Sequence, residues 1–443
     1  MTEYQWPIPE NILEEAIKIC VATPRPLSQC SIREIKKIAD FLEEKSQSPF
    51  IRMEMGIPGP PPSDFLKNAE KEAIDLNLSG KYPPIEGRSD LKQAASRFFK
   101  LFVNIDLEPL NIVPTVGSMN GSYAAFMLAG KRDPKKDTIL FLDPGFPVHK
   151  QTTQMLGLKQ AQFDFQHHRG EKLRDKLEQY LSSGNISLLL YSNPNNPTWS
   201  CFTDQELRII GELANKYDVI VCEDLAYFGM DFREDYSVPG SPPYQPTVAH
   251  YADNYLMLIS TSKVFSYAGQ RTALMAISPT LYDRKFPTLK EPFLHPTFGP
   301  ALILGCLYGT TSGTSHTSQY ALAKTLNAIC DGELPLLEDI KHYESMAKSM
   351  KKLFCDNGFR IVYDLDGDKL IADGFYFTLE YPNLPGEELI TQLLRHGISA
   401  ISLETTGSSN TSGIRACVSL MKQEYLPLLE LRLKAFKKQF GSI

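Results

Sequence analysis

The chain has 443 residues, more than one hydrophobic core usually serves, so we expect two domains. A hydrophobic fraction of 42%, a charged fraction of 22% and a net charge of -6 are typical of a globular protein and offer no basic stripe for nucleic acid. The cysteines form no C-x-x-C pair and the histidines lack metal-ligand spacing, so we expect reduced thiols and no metal. Residues 1–15 lack a signal-peptide pattern and no segment has a membrane-spanning apolar length, which predicts a cytosolic protein without a membrane partner.

The proline-rich run Pro-Gly-Pro-Pro-Pro at 58–62 marks a boundary near residue 60, since neither a helix nor a strand crosses it. From there to about residue 280, short apolar runs alternate with helix-like segments, which predicts an α/β domain with a mainly parallel sheet. Continuous apolar runs predict buried strands at 187–191, 219–222 and 256–259. A capping box beginning at Thr203 predicts a helix over 203–217, and so a β-α-β unit.

Beyond about residue 330 the pattern becomes more helical. It predicts strands at 375–379 and 414–420 and a closing amphipathic helix over 423–440, as in a small α+β domain. We therefore predict an N-terminal segment, 1–55, packed on the small domain, a large domain over 56–330, and a small domain over 331–443.

Unusual residues follow the three predicted buried strands. Ser192-Asn-Pro-Asn-Asn-Pro197 follows the first, Glu223-Asp224 the second, and Ser260-Thr-Ser-Lys263 the third. Because ligands of open α/β sheets collect past the carboxyl ends of the strands, we expect the chemistry there. A desolvated amine at Lys263 would favour its neutral, nucleophilic form and so imine formation with an aldehyde.

A glycine- and serine-containing turn offers a candidate phosphate site. It runs from residue 114 to 121 and leads into a helix predicted over 122–129, so that free backbone N–H groups and a positive helix end face one point. Such turns are common in β-α units, and the prediction depends on the other motifs.

Three motifs in order resemble those of the class I/II aminotransferases, the fold type I family that depends on pyridoxal 5′-phosphate (PLP). They are SNPNNPTW at 192–199, Asp224-Leu-Ala-Tyr227, and STSKVFSYAGQR at 260–271. The resemblance runs through nearly the whole chain and is strongest over 82–271. It implies a large domain with a mainly parallel central sheet flanked by helices, and a smaller α+β domain.

The resemblance implies roles for the catalytic groups. Lys263 would hold PLP as a Schiff base and, once displaced by the substrate, shuttle a proton between the substrate Cα and the cofactor's C4′. Asp224 would pair with the pyridinium nitrogen, while Asn196 and Tyr227 would hydrogen-bond the phenolic oxygen.

The same resemblance implies how the phosphate is held. Gly117, Ser118 and Met119 would supply the turn, Ser260 a hydroxyl, and Arg271 a fork-shaped guanidinium.

Four further residues match positions around the family's site. Phe146 would stack on the cofactor ring, and His149 would support Asp224 from behind it. Arg415 would clamp the substrate α-carboxylate. Tyr82 would reach the phosphate of a neighbouring subunit, which implies a homodimer.

The chain departs from the family pattern in two places. Trp199 stands where the family has glycine, which would narrow the cleft or bend the loop that carries Asn196. Where dicarboxylate-specific relatives place a second arginine, the chain offers only His295, with Lys290 or Arg284 as weak substitutes. Aspartate specificity is therefore not expected by that route.

The motifs predict an aminotransferase that moves an amino group from an amino acid to a 2-oxo acid by a ping-pong cycle. A PLP-dependent C–S or β-lyase remains the main alternative, because such enzymes share the lysine, the acid and the arginine. A PLP-sensing regulatory protein is the second alternative, disfavoured because the first fifty residues leave no room for a DNA-binding helix pair and its linker.

Overall fold

A computed structural model describes residues 6–441. Residues 1–5 of the predicted N-terminal segment and 442–443 of the predicted small domain lie outside the described part. No helix of residues 6–441 is long and apolar enough to cross a membrane.

The strands, in chain order, are β1 (Ile51–Arg52), β2 (Ile112–Thr115), β3 (Thr138–Asp143), β4 (Lys159–Asp164), β5 (Ile186–Ser192), β6 (Ile220–Asp224), β7 (Tyr255–Ser260), β8 (Ala273–Ile277), β9 (Arg360–Ile361), β10 (Leu365–Asp366), β11 (Lys369–Leu370), β12 (Tyr376–Glu380), β13 (Ile398–Ser399), β14 (Ile401–Ser402) and β15 (Ile414–Cys417).

The α-helices, in chain order, are α1 (Glu10–Cys20), α2 (Ile32–Ser46), α3 (Asp64–Asp75), α4 (Ser89–Val103), α5 (Gly117–Ala129), α6 (Pro147–Met155), α7 (Glu171–Leu181), α8 (Asp204–Lys216), α9 (Thr261–Val264), α10 (Pro279–Asp283), α11 (Lys290–Phe293), α12 (Phe298–Pro300), α13 (Tyr308–Thr311), α14 (His316–Cys330), α15 (His342–Asp356), α16 (Gly386–Arg395) and α17 (Leu426–Phe440). A π-helical stretch, Ala301–Leu307, joins α12 to α13.

The central sheet has seven strands in the order β2-β8-β7-β6-β5-β3-β4. β8 runs antiparallel to both of its neighbours, and the other adjacent pairs are parallel. Every residue of β5, β6 and β7 is buried, because helices cover both faces and the strands therefore read as continuous apolar runs. The predicted α/β fold with a mainly parallel sheet is confirmed, and the three predicted strands are each present with slightly different ends.

Two helices show how local sequence sets an element's start. The capping box of α8 is formed as predicted, since the Glu206 N–H donates to Thr203 Oγ1 (3.2 Å) and the Thr203 N–H donates to Glu206 Oε2 (2.9 Å). Helix α5 begins at Gly117 and not at residue 122, so its first turn contains the predicted phosphate-binding residues. That earlier start was missed because glycine, serine and asparagine are weak helix formers.

The C-terminal part builds a second, antiparallel sheet in the order β14-β15-β12-β9. The predicted strand at 414–420 is shorter, ending at Cys417, and the closing helix begins at Leu426 after a 3₁₀ turn. From the N-terminal segment, β1 pairs in parallel with β13, and the Ile8 N–H donates to the Arg395 carbonyl (2.7 Å). This pairing carries the chain that follows β1 towards the carboxyl ends of the central strands. The division into three segments stays a prediction.

Candidate active site

A cavity of about 520 Å³ lies at the carboxyl ends of β5, β6 and β7. All of the site residues predicted from sequence line it except Gly117 and Tyr82. Those that do are Ser118, Met119, Phe146, His149, Asn196, Asp224, Tyr227, Ser260, Lys263, Arg271 and Arg415. The sheet topology explains the convergence, because successive parallel strands end at the same edge.

Lys263 lies in α9, the short helix that follows β7 directly. Its Nζ donates a hydrogen bond to the Gly56 carbonyl. The pKa of Lys263 is lowered to about 8, chiefly by burial and also by the nearby Arg415 and Arg271 cations, against the opposing effects of Cys417 and Asp224. A much larger fraction of the amine is therefore neutral near physiological pH than for an exposed lysine, which suits a nucleophile.

Asp224 ends β6 and is buried. Its Oδ1 accepts a hydrogen bond from the Ala226 N–H (3.1 Å), and burial raises the pKa of its carboxyl to about 7. His149 Nε2 lies 4.0 Å from Asp224 Oδ2, but burial lowers the pKa of His149 to about 4, so the imidazole is neutral. His149 Nδ1 is buried without a hydrogen-bond partner among residues 6–441. A buried carboxyl with so few partners favours the binding of a cationic group in the cavity.

Arg415 is a buried cation on β15. Its Nη1 donates to Asn196 Oδ1 (3.2 Å) and its Nη2 to the Glu54 carbonyl (2.6 Å), while the guanidinium lies 4.5 Å from the centre of the Tyr376 ring. Within residues 6–441 no carboxylate forms an ion pair with it. Because an unpaired buried charge is costly, the position favours a bound anion.

Tyr227 and Tyr376, which lie near Arg415, are joined by a hydrogen bond. The Tyr227 hydroxyl donates to the Tyr376 oxygen (2.9 Å), and burial raises the pKa of Tyr227 well above its usual value. Tyr227 therefore stays a neutral hydrogen-bonding group beside Asn196.

The predicted phosphate site lies where α5 begins. Gly117 has φ +72°, and a Cβ there would lie 2.4 Å from Arg271 Nη2, so the guanidinium rests directly on the first turn. The absence of a side chain at Gly117 allows the Arg271 guanidinium to lie against the backbone. Arg271 lines the cavity and Gly117 does not. The unpaired N–H groups of the first turn, together with Ser118, Ser260 and Arg271, face one point that fits a dianion.

The loop that carries Asn196 is held at both ends. Asn195 Nδ2 donates to the Pro144 carbonyl (2.9 Å), and the Cys201 N–H donates to Asp366 Oδ2 of the β10–β11 hairpin (3.0 Å). Asp366 also accepts from Arg169 (2.9 Å) and Arg233 (2.7 Å), so two arginines of the large sheet region fix the hairpin that supports the loop.

Trp199 does not line the cavity, whereas Asn196 does, so the indole does not narrow the cleft. The side chain is fully buried and packs against Tyr227 and Phe375, with ring centroids 5.2 and 6.5 Å away, behind the cavity and not within it. Its φ of +66° lies in the left-handed region, which explains why glycine suits this position. Gly374 makes room for the indole, since a Cβ there would lie 2.1 Å from Trp199 Nε1.

Several predicted positions lie away from this cavity. Tyr82 is 90% exposed and does not line the cavity of its own chain. His295 and Lys290 are not among the lining residues either, and Arg284 forms an ion pair with Asp218.

Sequence reasoning missed residues that cover the cavity. Gly56 follows β1 and its carbonyl accepts a hydrogen bond from Lys263 Nζ. A Cβ on Gly56 would lie 1.7 Å from Tyr376 Oη, so any larger residue there requires Tyr376 to shift. Arg33 on α2 and Lys150 on α6 also line the cavity. Lys150 directly follows His149, a residue already matched to the family's site. Gly56 and Arg33 belong to no such motif, and the pairing of β1 with β13 brings their segment over the site.

Comparison with known proteins identifies the fold and the family of the chain. The structure resembles an aspartate aminotransferase variant from Thermus thermophilus with a TM-score of 0.73, 14% identity, and coverage of 95% of this chain and 98% of that one. Fold and site together define a fold type I transferase. A family model described as aminotransferase class I and II matches residues 51–429, and the chain belongs to that family.

The curated relatives are distant. An aspartate aminotransferase from Pyrococcus horikoshii is 23% identical over 250 residues, 55% of this chain and 59% of that protein. An LL-diaminopimelate aminotransferase from Nostoc sp. is 27% identical over 228 residues, 50% of this chain and 55% of that protein. The chain thus matches less than two thirds of these relatives' length, and the relatives differ in the substrate they are named for.

Proposed function

We propose that the chain is a PLP-dependent aminotransferase that holds its cofactor on Lys263 as a Schiff base and moves an amino group from an amino acid to a 2-oxo acid in a ping-pong cycle. The observation that carries the proposal is the convergence of three groups on one cavity. They are a desolvated amine at Lys263, a buried acid at Asp224 that needs a cationic partner, and a buried cation at Arg415 that needs an anion.

The donor set fits the cofactor part by part. Asp224 would hold the ring nitrogen, Asn196 and Tyr227 the phenolic oxygen, and Phe146 one face of the ring. The first turn of α5, with Ser118, Ser260 and Arg271, would hold the phosphate. When bound, PLP supplies a ring that withdraws electrons from the substrate Cα.

The chain's own residues would do the rest. Lys263, with a pKa lowered to about 8, is suited to take the proton from Cα and to deliver it to the neighbouring cofactor carbon, because a general acid–base group works best near the operating pH. Arg415 would bind the α-carboxylate with its fork and so fix which Cα bond faces the lysine. His149, neutral and buried, would keep the environment of Asp224 dry without competing for its charge.

The proposal includes a homodimer in which Tyr82 of each chain reaches the other's phosphate site. Its support is that Tyr82 is almost fully exposed on the single chain, and that Leu294 (78%) and Tyr308 (56%) are also exposed, which leaves large apolar side chains to be covered. Sedimentation of the holoenzyme tests it, with a single monomeric species as the contrary result.

Incubation with a panel of amino acids, without any 2-oxo acid, tests the reaction. An aminotransferase releases one equivalent of 2-oxo acid per site, loses its visible absorbance, and regains it when a 2-oxo acid is added. Continuous release of pyruvate and ammonia from a cysteine-like substrate, with the visible absorbance retained, would instead identify a C–S or β-lyase.

A further inference from the structure

Tyr376 is a buried residue of the active-site cavity for which the sequence motifs predict no role. It begins β12 and lines the same cavity as Lys263. β12 pairs in antiparallel fashion with β15, with Thr378 opposite Arg415 and Tyr376 opposite Cys417. Because side chains two positions apart on a strand point to the same face of a sheet, Tyr376 and Arg415 lie on one face as diagonal neighbours.

The ring of Tyr376 supports the Arg415 guanidinium, which lies 4.5 Å from the ring centre. The ring is itself held on other sides by two aromatic residues. Its centroid lies 5.0 Å from that of Phe375 and 6.1 Å from that of Trp199. A ring packed in this way fixes the position of the cation that rests on it, and so the direction in which the fork of Arg415 points into the cavity.

The hydroxyl of Tyr376 has one hydrogen-bond partner among residues 6–441. That partner is the Tyr227 hydroxyl, 2.9 Å away, and it has no second partner there either. We call these two residues the tyrosine pair. Two hydroxyl groups carry two protons, and the bond between them uses one. The pair therefore keeps one proton that it can donate to a group bound in the cavity.

The surroundings of the tyrosine pair contain cations and no anion. Arg415 and Cys417 face it from β15 and Tyr343 from α15, while Lys263 of α9 reaches the Gly56 carbonyl above it. Burial raises the pKa of both hydroxyls of the pair, and it also raises the pKa of Cys417 and of Tyr343, so all four groups stay protonated and neutral. A negatively charged oxygen in the cavity would be the strongest acceptor within reach of the pair.

We propose that Tyr376 is a positioning residue with two tasks: its hydroxyl directs the proton of Tyr227 to the cofactor's phenolic oxygen, and its ring holds Arg415 for the substrate α-carboxylate. The inference rests on the proposed function and adds a residue to the same site. The charged phenolic oxygen takes the Tyr227 proton in preference to a neutral hydroxyl, and the Tyr376 proton then turns to the Tyr227 oxygen. Two hydrogen bonds in series strengthen each other.

A pH titration of the holoenzyme's visible absorbance tests the first task, because it measures the proton affinity of the Schiff base. Donors to the phenolic oxygen stabilise the deprotonated form, in which that oxygen is negative, and so lower this pKa. Tyr376→Phe removes the hydroxyl and should raise the pKa by about 0.5, since Tyr227 becomes a weaker donor. The KM for the amino acid should stay nearly unchanged, because the ring remains beneath Arg415.

Tyr343→Phe is the matched control. Tyr343 is equally buried and packs on the other side of Phe375, with ring centroids 4.9 Å apart, but it lies outside the cavity. Its hydroxyl accepts a hydrogen bond from the Gly59 N–H (3.0 Å). Tyr343→Phe should therefore lose stability without moving the absorbance pKa. The same pKa change in both variants would overturn the first task, because it would reflect looser packing.

Tyr376→Leu tests the second task. Loss of the ring should raise the KM for the amino acid about tenfold, in addition to the pKa change seen in Tyr376→Phe. An equal KM in Tyr376→Leu and Tyr376→Phe would remove the ring from the support of Arg415.

A double-mutant cycle with Tyr227→Phe tests whether the Tyr376 hydroxyl acts through Tyr227. Tyr227→Phe should raise the absorbance pKa, and adding Tyr376→Phe should raise it no further. Additive changes, or no change in Tyr376→Phe alone, would overturn the inference while leaving the proposed function intact. A wild type whose absorbance titrates but which converts no amino acid would contradict the proposed function, and the cycle would still judge Tyr376. A wild type that binds no cofactor would contradict both.

Discussion

The floor and the roof of the cavity are encoded in different ways. The floor consists of Asn196, Asp224 and Lys263, each placed at or just past the end of a buried parallel strand. The roof consists of Gly56 and Arg415, which come from parts of the chain that are far apart in sequence. Arg415 donates a hydrogen bond to the carbonyl of Glu54, which lies 361 positions earlier in the chain. The groups suited to the cofactor therefore follow from short local motifs, whereas the contacts that enclose the substrate side, between Arg415 and residues 54–56, depend on tertiary packing. Each variant below tests one side of that division.

Replacing Lys263 with Ala removes the floor's amine and should have the largest effect. We expect turnover to fall by about 10⁴-fold or more, because the amine that bonds the cofactor and moves the proton is lost, while the cofactor still binds through the other floor residues. Lys92→Ala is the control, since Lys92 is another buried lysine whose pKa burial lowers, and it lies outside the cavity. Transamination near the wild-type rate in Lys263→Ala would remove the lysine from the mechanism.

Asp224→Asn should reduce turnover by about 10²- to 10³-fold, because an amide cannot keep a ring nitrogen protonated. Its neighbour on the same strand provides a matched control. Glu223 is also buried with its pKa raised to about 7, yet it accepts from Tyr191 and Thr247 and does not line the cavity. Glu223→Gln should keep nearly full activity in the same assay. Equal losses of turnover in Asp224→Asn and Glu223→Gln would show that the effect is not specific to the acid that lines the cavity.

Arg415→Lys tests the roof. The substitution keeps the positive charge but loses the fork, so we expect KM for the amino acid to rise about 10- to 100-fold with the cofactor spectrum unchanged. Steady-state kinetics with absorbance spectra of the same samples measure both. An unchanged KM would show that another group binds the substrate α-carboxylate. An altered absorbance spectrum would show that Arg415 contacts the cofactor.

Gly56→Ala tests the close approach within the roof and should have the smallest effect. The added methyl meets Tyr376 Oη, which must shift, and the overpacking should lower the free energy of unfolding by about 1–3 kcal/mol. Denaturant unfolding measures the loss. Tyr376→Phe combined with Gly56→Ala should recover part of it, since the clashing oxygen is gone. Strictly additive losses would contradict the packing described here.

The floor could be predicted from the sequence because buried strands and the residues that follow them are recognisable without knowledge of the rest of the fold. Asn196, Asp224 and Lys263 each follow a continuous apolar run, and the structure brings all three to one cavity. The start of α5 at Gly117 was missed, because its glycine and serine are poor helix formers and packing overrides that preference.

The roof could be predicted only in part, because Arg415 was identified from its resemblance to the family pattern and lines the cavity, whereas Gly56 was not identified. Gly56 touches Tyr376 only because β1 pairs with β13, and nothing in the residues around 51–57 indicates that pairing. Trp199 is a second example. Its identity alone suggested a narrowed cleft, whereas its left-handed backbone and the space left by Gly374 turn the indole away from the cavity. Backbone conformation and distant contacts of this kind are properties of the folded chain.

Borohydride reduction of the holoenzyme, followed by peptide mapping, tests the central claim most directly, because it fixes the cofactor to the amine that holds it. Two lysines line the cavity, Lys263 and Lys150, so the result is a choice between named residues. We expect the added mass of one reduced cofactor on the peptide that contains Lys263. We expect none on Lys150, whose amine forms an ion pair with Asp143. Modification of Lys150, or of no lysine, would contradict it.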